Sequence, residues 1–219
     1  MPVPPADSRP EIPGFDADRA DQYLRGTAGR PPRETLLQAL ACCTAPGEAL
    51  DLGCGAGLET AELLRRGWRV TATDALAEMI ARTEARIRTL PAEAAARCTL
   101  LRAGFDATPL PEGAFDLVHA GFSLPFATEA QFPALWPRLC ASIRPGGLFA
   151  GQLFGPRDQF VVEGRRGDMN AHDAEGVRTL LRGFDLLHHD EVDRDGQTAA
   201  GCPKHWHVHH VIARRRSGC

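Results

Sequence analysis

The stretch that decides the fold is residues 49–57, which read ALDLGCGAG. Its first four residues are apolar except for one carboxylate, as expected of a buried strand, and three glycines then follow at alternate positions. Glycine tolerates positive φ and lets the backbone approach a ligand closely, so such a strand-to-helix turn is typical of nucleotide-binding folds. The third glycine comes one residue too early for the dinucleotide fingerprint G-x-G-x-x-G, and no Lys-Ser/Thr pair follows to complete a phosphate loop.

Outward from this turn, short apolar runs alternate with stretches of helical periodicity, a pattern that predicts a parallel sheet covered by helices. The predicted strands are 48–52, 68–73, 98–103, 115–120, 148–154, about 184–192 and about 204–213. A turn at Asp195-Gly196 joins the last two strands into a hairpin, and a turn at residues 144–147 precedes the fifth. Predicted helices begin after Pro31-Pro32, run from the glycines to Arg66, and cover about 76–87, 130–142 and 173–183.

The N-terminal segment differs from the rest, because residues 1–14 contain five of the seventeen prolines. We expect residues 1–30 to form a flexible leader and a possible lid, followed by one domain over residues 31–219.

Composition narrows the class of protein. The chain has 219 residues, of which 43% are hydrophobic and 24% charged, as in ordinary soluble domains. The net charge of −3 provides no positive field for nucleic acid or anionic lipid. Seven cysteines without CxxC spacing favour reduced thiols, and no apolar run is long enough for a signal peptide or a membrane span. We therefore expect a cytoplasmic monomer or homodimer, with no nucleic-acid or membrane partner.

Several motifs together resemble the class I S-adenosylmethionine (SAM) dependent methyltransferases. The pattern D-x-G-x-G-x-G over residues 51–57 is similar to the first motif of that family. Asp74 ends the second predicted strand, and Asp106 precedes the fourth, where family members place groups that bind the ribose and the adenine. The resemblance covers about residues 33–213 and includes the turn R-P-G-G at 144–147.

This resemblance implies a Rossmann-like three-layer α/β sandwich, with a seven-stranded, mostly parallel sheet whose last strand is antiparallel and lies between strands five and six. It also implies an enzyme that moves a methyl group from SAM to an O, N or S atom of a small molecule and releases S-adenosylhomocysteine. Tyr23 and Arg30 are expected to close over the methionine end. The full set of implied cofactor-binding residues is Asp51, Gly53, Cys54, Gly55, Gly57, Asp74, Ala75, Met79, Asp106, Ala107, Tyr23 and Arg30.

The acceptor is expected at the carboxyl ends of strands four and five, where open α/β sheets bind ligands. His119 ends strand four and is a candidate catalytic base, because histidine is the usual base at neutral pH; a pocket-lining or core histidine is the alternative. Phe122 and Ser123 follow it and are expected to line the acceptor pocket. An antiparallel last strand would begin at the same edge, which adds Lys204, His205 and Trp206 to the substrate-binding residues.

Two alternatives and one negative expectation remain. The chain is predicted to bind no metal, because His205, His207 and His209 alternate along one strand and such ligands rarely converge without partners elsewhere.

A non-catalytic SAM-binding or regulatory module is the first alternative function, and a dinucleotide-dependent oxidoreductase is a less favoured one. Residues 57–60, 123–126 and 204–207 resemble a group of uncharacterised small bacterial methyltransferases, which identifies no acceptor.

Overall fold

The structure is a computed structural model that describes residues 26–27, 29–164 and 168–218. Tyr23 and nearly all of the predicted leader lie outside these residues. The leader, the lid and the boundary at residue 31 therefore stay predictions.

The described residues form seven strands, seven α-helices and one 3₁₀ turn. The strands are β1 (Glu48–Leu52), β2 (Arg69–Asp74), β3 (Cys98–Arg102), β4 (Phe115–Ala120), β5 (Ile143–Phe154), β6 (Phe184–Gln197) and β7 (Pro203–Arg215). The helices are α1 (Glu34–Ala41), α2 (Leu58–Arg65), α3 (Ala77–Ile87), α4 (Ala92–Ala95), α5 (Phe132–Ser142), α6 (Gln159–Val162) and α7 (Ala174–Leu180), and the 3₁₀ turn is Leu124–Phe126. None of these helices combines the length and the apolar character needed to cross a bilayer.

All seven strands belong to one sheet with the order β3-β2-β1-β4-β5-β7-β6. The strands from β3 to β5 pair in parallel, whereas β7 runs antiparallel to both β5 and β6. The predicted α/β fold, with an antiparallel last strand between the fifth and sixth, is confirmed. The strand order reverses between β1 and β4, so the carboxyl ends of these two strands border the crevice where such sheets bind ligands.

The central strands β1, β4 and β5 are buried on both faces of the sheet, as parallel strands are, whereas most of β6 is exposed. Leu50, Val118 and Phe149 belong to a core with α5 and α7 on one face, and Leu63 and Leu117 to a second core on the other. Helix α3 faces this second core because its buried residues recur every fourth position, at Met79, Thr83 and Ile87. Packing against both faces of the sheet therefore fixes the positions of the strand ends.

The hairpin of β6 and β7 differs from the prediction. Asp195 and Gly196 lie inside β6, opposite His205 and Lys204, so the predicted turn at this position is wrong. The chain reverses at residues 198–202 instead, where the Thr198 N–H donates to the Cys202 carbonyl oxygen at 2.8 Å. Gly201 supplies the positive φ of 78° that closes this longer turn.

The start of β5 also differs from the prediction. The predicted turn at residues 144–147 lies within β5, because the pairing with β4 shifts between Phe115 and Leu117. These residues form an irregularity in the strand, with Gly146 at a φ of 82°. The helix before it, α5, is confirmed although Pro137 lies inside it.

Candidate active site

The turn after β1 is built from three glycines in the left-handed region. Gly53, Gly55 and Gly57 have φ values of 73°, 55° and 73°. The backbone N–H groups of Gly53 and Cys54 both donate to the Thr73 carbonyl oxygen, at 2.8 and 2.9 Å, and so tie the turn to β2. The main chain thus forms a shallow cradle at the edge of the sheet, directly before α2.

We expect Gly57→Ala to destabilise the protein by about 2–4 kcal/mol, the sum of a left-handed backbone penalty and local overpacking. A Cβ at Gly57 would lie only 2.7–2.9 Å from the side-chain atoms of Thr83 on α3. Gly113→Ala is the matched control, since Gly113 has a φ of 60° but nothing within 4 Å of its Cβ position. Urea denaturation measures both losses, and equal losses would contradict a steric requirement at Gly57.

Asp74 ends β2 beside the turn. Its Oδ2 accepts the Gly55 N–H at 3.0 Å, and its Oδ1 accepts the Leu76 N–H at 2.9 Å. Burial raises the pKa of the Asp74 carboxyl to about 6, and the two N–H donors oppose that rise. The structure therefore places a carboxylate of fixed orientation at the tip of β2, as predicted.

The other predicted cofactor-binding residues on this side of the sheet differ in their exposure to solvent. Asp106 and Ala107 are exposed in the loop after β3, where the Gln131 Nε2 donates to the Asp106 Oδ2 at 2.8 Å. Half-buried Ala75 joins Asp74 to α3, whereas the side chains of Met79 and Cys54 are buried and support the turn from below. Only the main chain of Cys54 is available at the turn, and burial raises the pKa of its thiol well above its usual range.

Asp51 and His119 form a buried pair across β1 and β4. The Asp51 Oδ1 lies 2.9 Å from the His119 Nδ1, and its Oδ2 accepts the Thr60 hydroxyl at 2.6 Å. Asp51 is buried, with 1% of its surface exposed, and its predicted contact with the cofactor stays a prediction. The carboxylate assigns the proton to Nδ1 and leaves a lone pair on Nε2.

The His119 Nε2 is buried and has no hydrogen-bond partner among the described residues. A Cβ at Gly121 would lie 3.1 Å from both this nitrogen and the Arg33 Nε. The Arg33 guanidinium in turn lies 4.5 Å above the centroid of the Phe122 ring. Arg33 therefore contacts the Phe122 ring, and Arg33 and His119 both lie next to Gly121.

Arg30 and Glu59 form the border of the turn next to α1. The Arg30 Nη2 lies 2.8 Å from the Glu59 Oε1, which also accepts the Arg33 backbone N–H at 3.3 Å. Arg30 therefore lies beside the turn, and its predicted role at the methionine end of the cofactor stays a prediction. A cavity of about 380 Å³ adjoins these residues, and Arg82 and Arg86 of α3 add further positive charge to its lining.

An aromatic wall, formed by Phe122, Phe154, Phe160 and Trp206, lies on the β5 and β7 side of the edge. Its rings meet mostly edge to face, with Phe122 at 6.0 Å from Trp206 and 6.1 Å from Phe154. Phe122 has a φ of 57°, unusual for a residue with a side chain, and its N–H donates to the Gln152 Oε1 at 3.2 Å. The predicted pocket residues Phe122 and Trp206 are therefore neighbours.

Ser123, also predicted for the acceptor pocket, lies nearer the glycine turn. A Cβ at Gly53 would lie 2.4 Å from the Ser123 Cβ. The Ser123 hydroxyl is buried and has no partner within the described ranges. It therefore faces the cradle rather than the aromatic wall.

Two predicted substrate-binding residues lie elsewhere than expected. The Lys204 Nζ is buried against both carboxylate oxygens of Asp158, at 2.6 and 2.5 Å, and 3.4 Å from the centroid of the Trp206 ring. His205 is half-exposed and bonds to Asp193 and Asp195 at 2.9 and 2.7 Å. Lys204 holds the hairpin against the segment after β5, and the structure brings neither residue to an open pocket.

Glu191, His207 and His209 place one ligand atom each within 4.8 Å of one another. The His207 Nδ1 accepts the Arg157 backbone N–H at 3.1 Å, so the neutral ring carries its proton on Nε2, which lies 2.8 Å from the Glu191 Oε1. A metal-bound imidazole normally donates from its second nitrogen, and His207 has no proton there. This hydrogen bonding disfavours a metal, and the predicted lack of one stays a prediction.

Comparison with known proteins shows what this chain and its fold are similar to. Residues 49–147 match the family described as a methyltransferase domain. The magnesium protoporphyrin IX methyltransferase of Synechocystis PCC 6803, solved with S-adenosylhomocysteine, has a TM-score of 0.69 at 15% identity and covers 92% of this chain and 95% of its own. The predicted resemblance is thus supported over residues 49–147, which match a methyltransferase domain, and the fold is that of a methyltransferase of known structure.

Two curated relatives match part of the chain. An uncharacterised methyltransferase of Synechocystis sp. is 31% identical over 106 residues, which are 48% of this chain and 46% of the relative. The trans-aconitate 2-methyltransferase of Deinococcus radiodurans is 31% identical over 137 residues, 61% of this chain and 48% of that protein. The chain thus spans about half the length of these relatives, which characterise its domain rather than its acceptor.

Proposed function

We propose that this protein transfers the methyl group of SAM to an O, N or S atom of a small molecule and releases S-adenosylhomocysteine. The observation that carries the proposal is the Asp74 carboxylate, held by backbone N–H groups beside three left-handed glycines at the point where the strand order reverses. When bound, SAM supplies a methyl group activated on a sulfonium, which an acceptor lone pair displaces.

The residues present fit a polar nucleoside of this kind. The side chains of Thr73, Ser123 and His119 each bury a polar atom that has no partner in the described part of the chain. Buried polar atoms in native proteins nearly always have partners, and the Ser123 hydroxyl next to Gly53 supports a polar ligand at the cradle, while Arg97 and His209 hold such atoms elsewhere in the described residues. Asp74 offers an acceptor for ribose hydroxyls, and Asp106 in the loop after the neighbouring strand β3 offers one for the adenine amino group.

The work of the protein in such a reaction is alignment and exclusion of water, which in favourable cases contribute roughly 7–11 kcal/mol. The glycine cradle and Asp74 orient one partner, and the aromatic wall gives the other an apolar surface one strand away. The name of the Deinococcus radiodurans relative refers to a small acid. Together with a net charge of −3, this favours a small-molecule acceptor over nucleic acid. We further propose a cytoplasmic monomer or homodimer.

Calorimetric titration with SAM, S-adenosylhomocysteine and NAD tests the cofactor. We expect micromolar binding of both SAM species and none of NAD. Binding of NAD without binding of SAM or S-adenosylhomocysteine would overturn the proposal in favour of an oxidoreductase. An acceptor screen that detects released S-adenosylhomocysteine then separates an enzyme from a non-catalytic SAM-binding module, which would bind without turnover.

Cofactor affinity should fall as the pH is lowered through about 6, the pKa of Asp74. Ribose hydroxyls donate to the carboxylate, and protonation removes that acceptor, so affinity should be level above pH 7 and fall up to about tenfold per pH unit below 6. Calorimetry with S-adenosylhomocysteine between pH 5 and 7.5 measures this. Asp74→Asn should bind weakly at every pH with a flat profile, and a wild-type affinity that rises on acidification would contradict the assignment.

A further inference from the structure

We propose that the β6–β7 hairpin contains a proton-sensitive latch, which holds α6 against the hairpin only while its histidine rings are neutral. The latch consists of the side chains of His189, Glu191, His207 and His209. Helix α6 carries Phe160, whose ring lies 6.2 Å from that of Trp206. Release of α6 on acidification therefore removes one ring from the aromatic wall. This inference concerns the hairpin and does not depend on the proposed function.

The first support is the bond by which His207 holds the segment before α6. Its Nδ1 accepts the Arg157 backbone N–H at 3.1 Å. Its main chain also accepts the Gly155 N–H at 2.7 Å and donates to the Asp158 carboxylate at 3.2 Å. The ring packs directly on Gly155, because a Cβ there would lie 2.3 Å from it. Protonation places an N–H on Nδ1, opposite the Arg157 N–H, and so removes the acceptor of that bond.

Glu191 determines which nitrogen of His207 takes up a proton. The His207 Nε2 lies 2.8 Å from the Glu191 Oε1 and donates to it in the neutral ring. This bond lowers the pKa of Glu191, which therefore stays ionised as the pH falls. A proton taken up by His207 thus goes to Nδ1 and breaks the bond to Arg157.

The second support is the buried pair of His189 and His209 beside His207. The His189 Nε2 lies 3.0 Å from the His209 Nδ1, so one ring donates and the other accepts. His209 is fully buried, and its Nε2 has no hydrogen-bond partner in the part of the chain that the structure describes. A charged His209 ring carries an N–H on both nitrogens and buries one of them without an acceptor. Burial of an unpaired donor is costly, so protonation of this pair also destabilises the hairpin.

Charged groups from several elements face the latch. Burial is the largest influence on the pKa of His189 and of His209 and lowers both, whereas Glu191 raises both. The remaining groups are His188, Asp190 and Asp193 of β6, Arg157 and Asp158 before α6, His172 before α7, and Arg178 of α7. Of these, Arg178 lowers the pKa of His189, and the main chain of His172 raises that of His209.

The direction of the pH dependence follows from these shifts. Rings with a lowered pKa bind fewer protons in the closed latch than in an opened or unfolded chain, where the pKa of histidine is about 6.5. The stability that the neutral latch provides is therefore complete above that pH and is lost as the pH falls below it.

Hydrogen exchange at single amides, followed by NMR in the full chain without added cofactor, tests the latch. The protection factor of the Arg157 amide, the donor to His207, should fall at least about tenfold between pH 7 and pH 5. That of Leu50, in the centre of β1, should stay within threefold. His207→Asn should hold the Arg157 protection within threefold over this range, because its amide oxygen replaces the acceptor and does not titrate.

Two further variants separate the latch from a general effect of acid. His205→Gln is the matched control and should keep the wild-type pH dependence, since His205 lies in the same hairpin but is half-exposed and bonds to Asp193 and Asp195. His209→Gln removes a buried titrating ring without touching Arg157 and should reduce the fall by about threefold or more.

Three results would overturn the latch. They are a wild-type Arg157 protection that does not change with pH, equal falls at Arg157 and Leu50, and a wild-type pH dependence in both His207→Asn and His209→Gln. Because no cofactor is added, the protonation of Asp74 affects none of these measurements through cofactor binding. The test is therefore separate from that of the proposed function.

Discussion

Asp74→Ala is expected to lower the affinity for SAM and S-adenosylhomocysteine by at least about a hundredfold, below detection in a routine titration. The variant loses a charged acceptor for ribose hydroxyls, and hydrogen bonds to charged groups contribute about 1.5–3 kcal/mol each. It also frees the Gly55 N–H that the carboxylate now holds, so the cradle loses a restraint. Calorimetry of the purified variant measures the loss.

The matched control is Asp185→Ala, the same substitution on β6, far from the cradle along the strand order. Asp185 is exposed and bonds to the Arg216 Nε at 2.7 Å, so its removal should leave cofactor affinity unchanged. Circular dichroism confirms that both variants are folded. Retention of affinity within threefold in Asp74→Ala would show that the ribose lies elsewhere.

Lys204→Met is expected to destabilise the protein by about 3–5 kcal/mol, because it leaves the Asp158 carboxylate buried without its cation. Both side chains are almost wholly inaccessible, with 1% and 0% of their surface exposed. Asp158 also caps α6 through the Phe160 N–H and accepts the His207 N–H. Its unpaired charge would therefore disturb the contact between the hairpin and α6. Urea denaturation at pH 7 measures the loss.

A second variant distinguishes an unpaired charge from lost packing. Lys204→Met combined with Asp158→Asn removes the charge but keeps an oxygen for the α6 cap, so the double variant should be more stable than Lys204→Met alone. The surface pair of Arg157 and Asp193 is the control, since exposed ion pairs contribute little, and Arg157→Met should leave stability nearly unchanged. A double variant less stable than the single one would contradict this account.

The cradle and the topology follow from local chemistry, which explains why they could be predicted. Alternating glycines after a buried strand predict positive φ angles, which other residues adopt only at a cost in energy. Gly53, Gly55 and Gly57 have positive φ angles in the structure. The alternation of strand and helix periodicity predicted the sheet, because both patterns depend on neighbours in sequence. The hairpin turn was missed because Asp195-Gly196 has turn chemistry, but pairing with β7 keeps it extended.

What the sequence by itself determined about this protein is the fold class, the resemblance to methyltransferases, and the positions of Asp74 at the end of β2 and Asp106 in the loop after β3. Each of these depends on a short motif or a local period. The tertiary structure alone decided which side chains meet. Asp51 and His119 are 68 positions apart, and Asp158 and Lys204 are 46 apart. Such pairs depend on strand register and on how helices pack over the sheet, which no local pattern encodes. That is why Lys204 proved to be a buried anchor for Asp158, and why His119 pairs with Asp51.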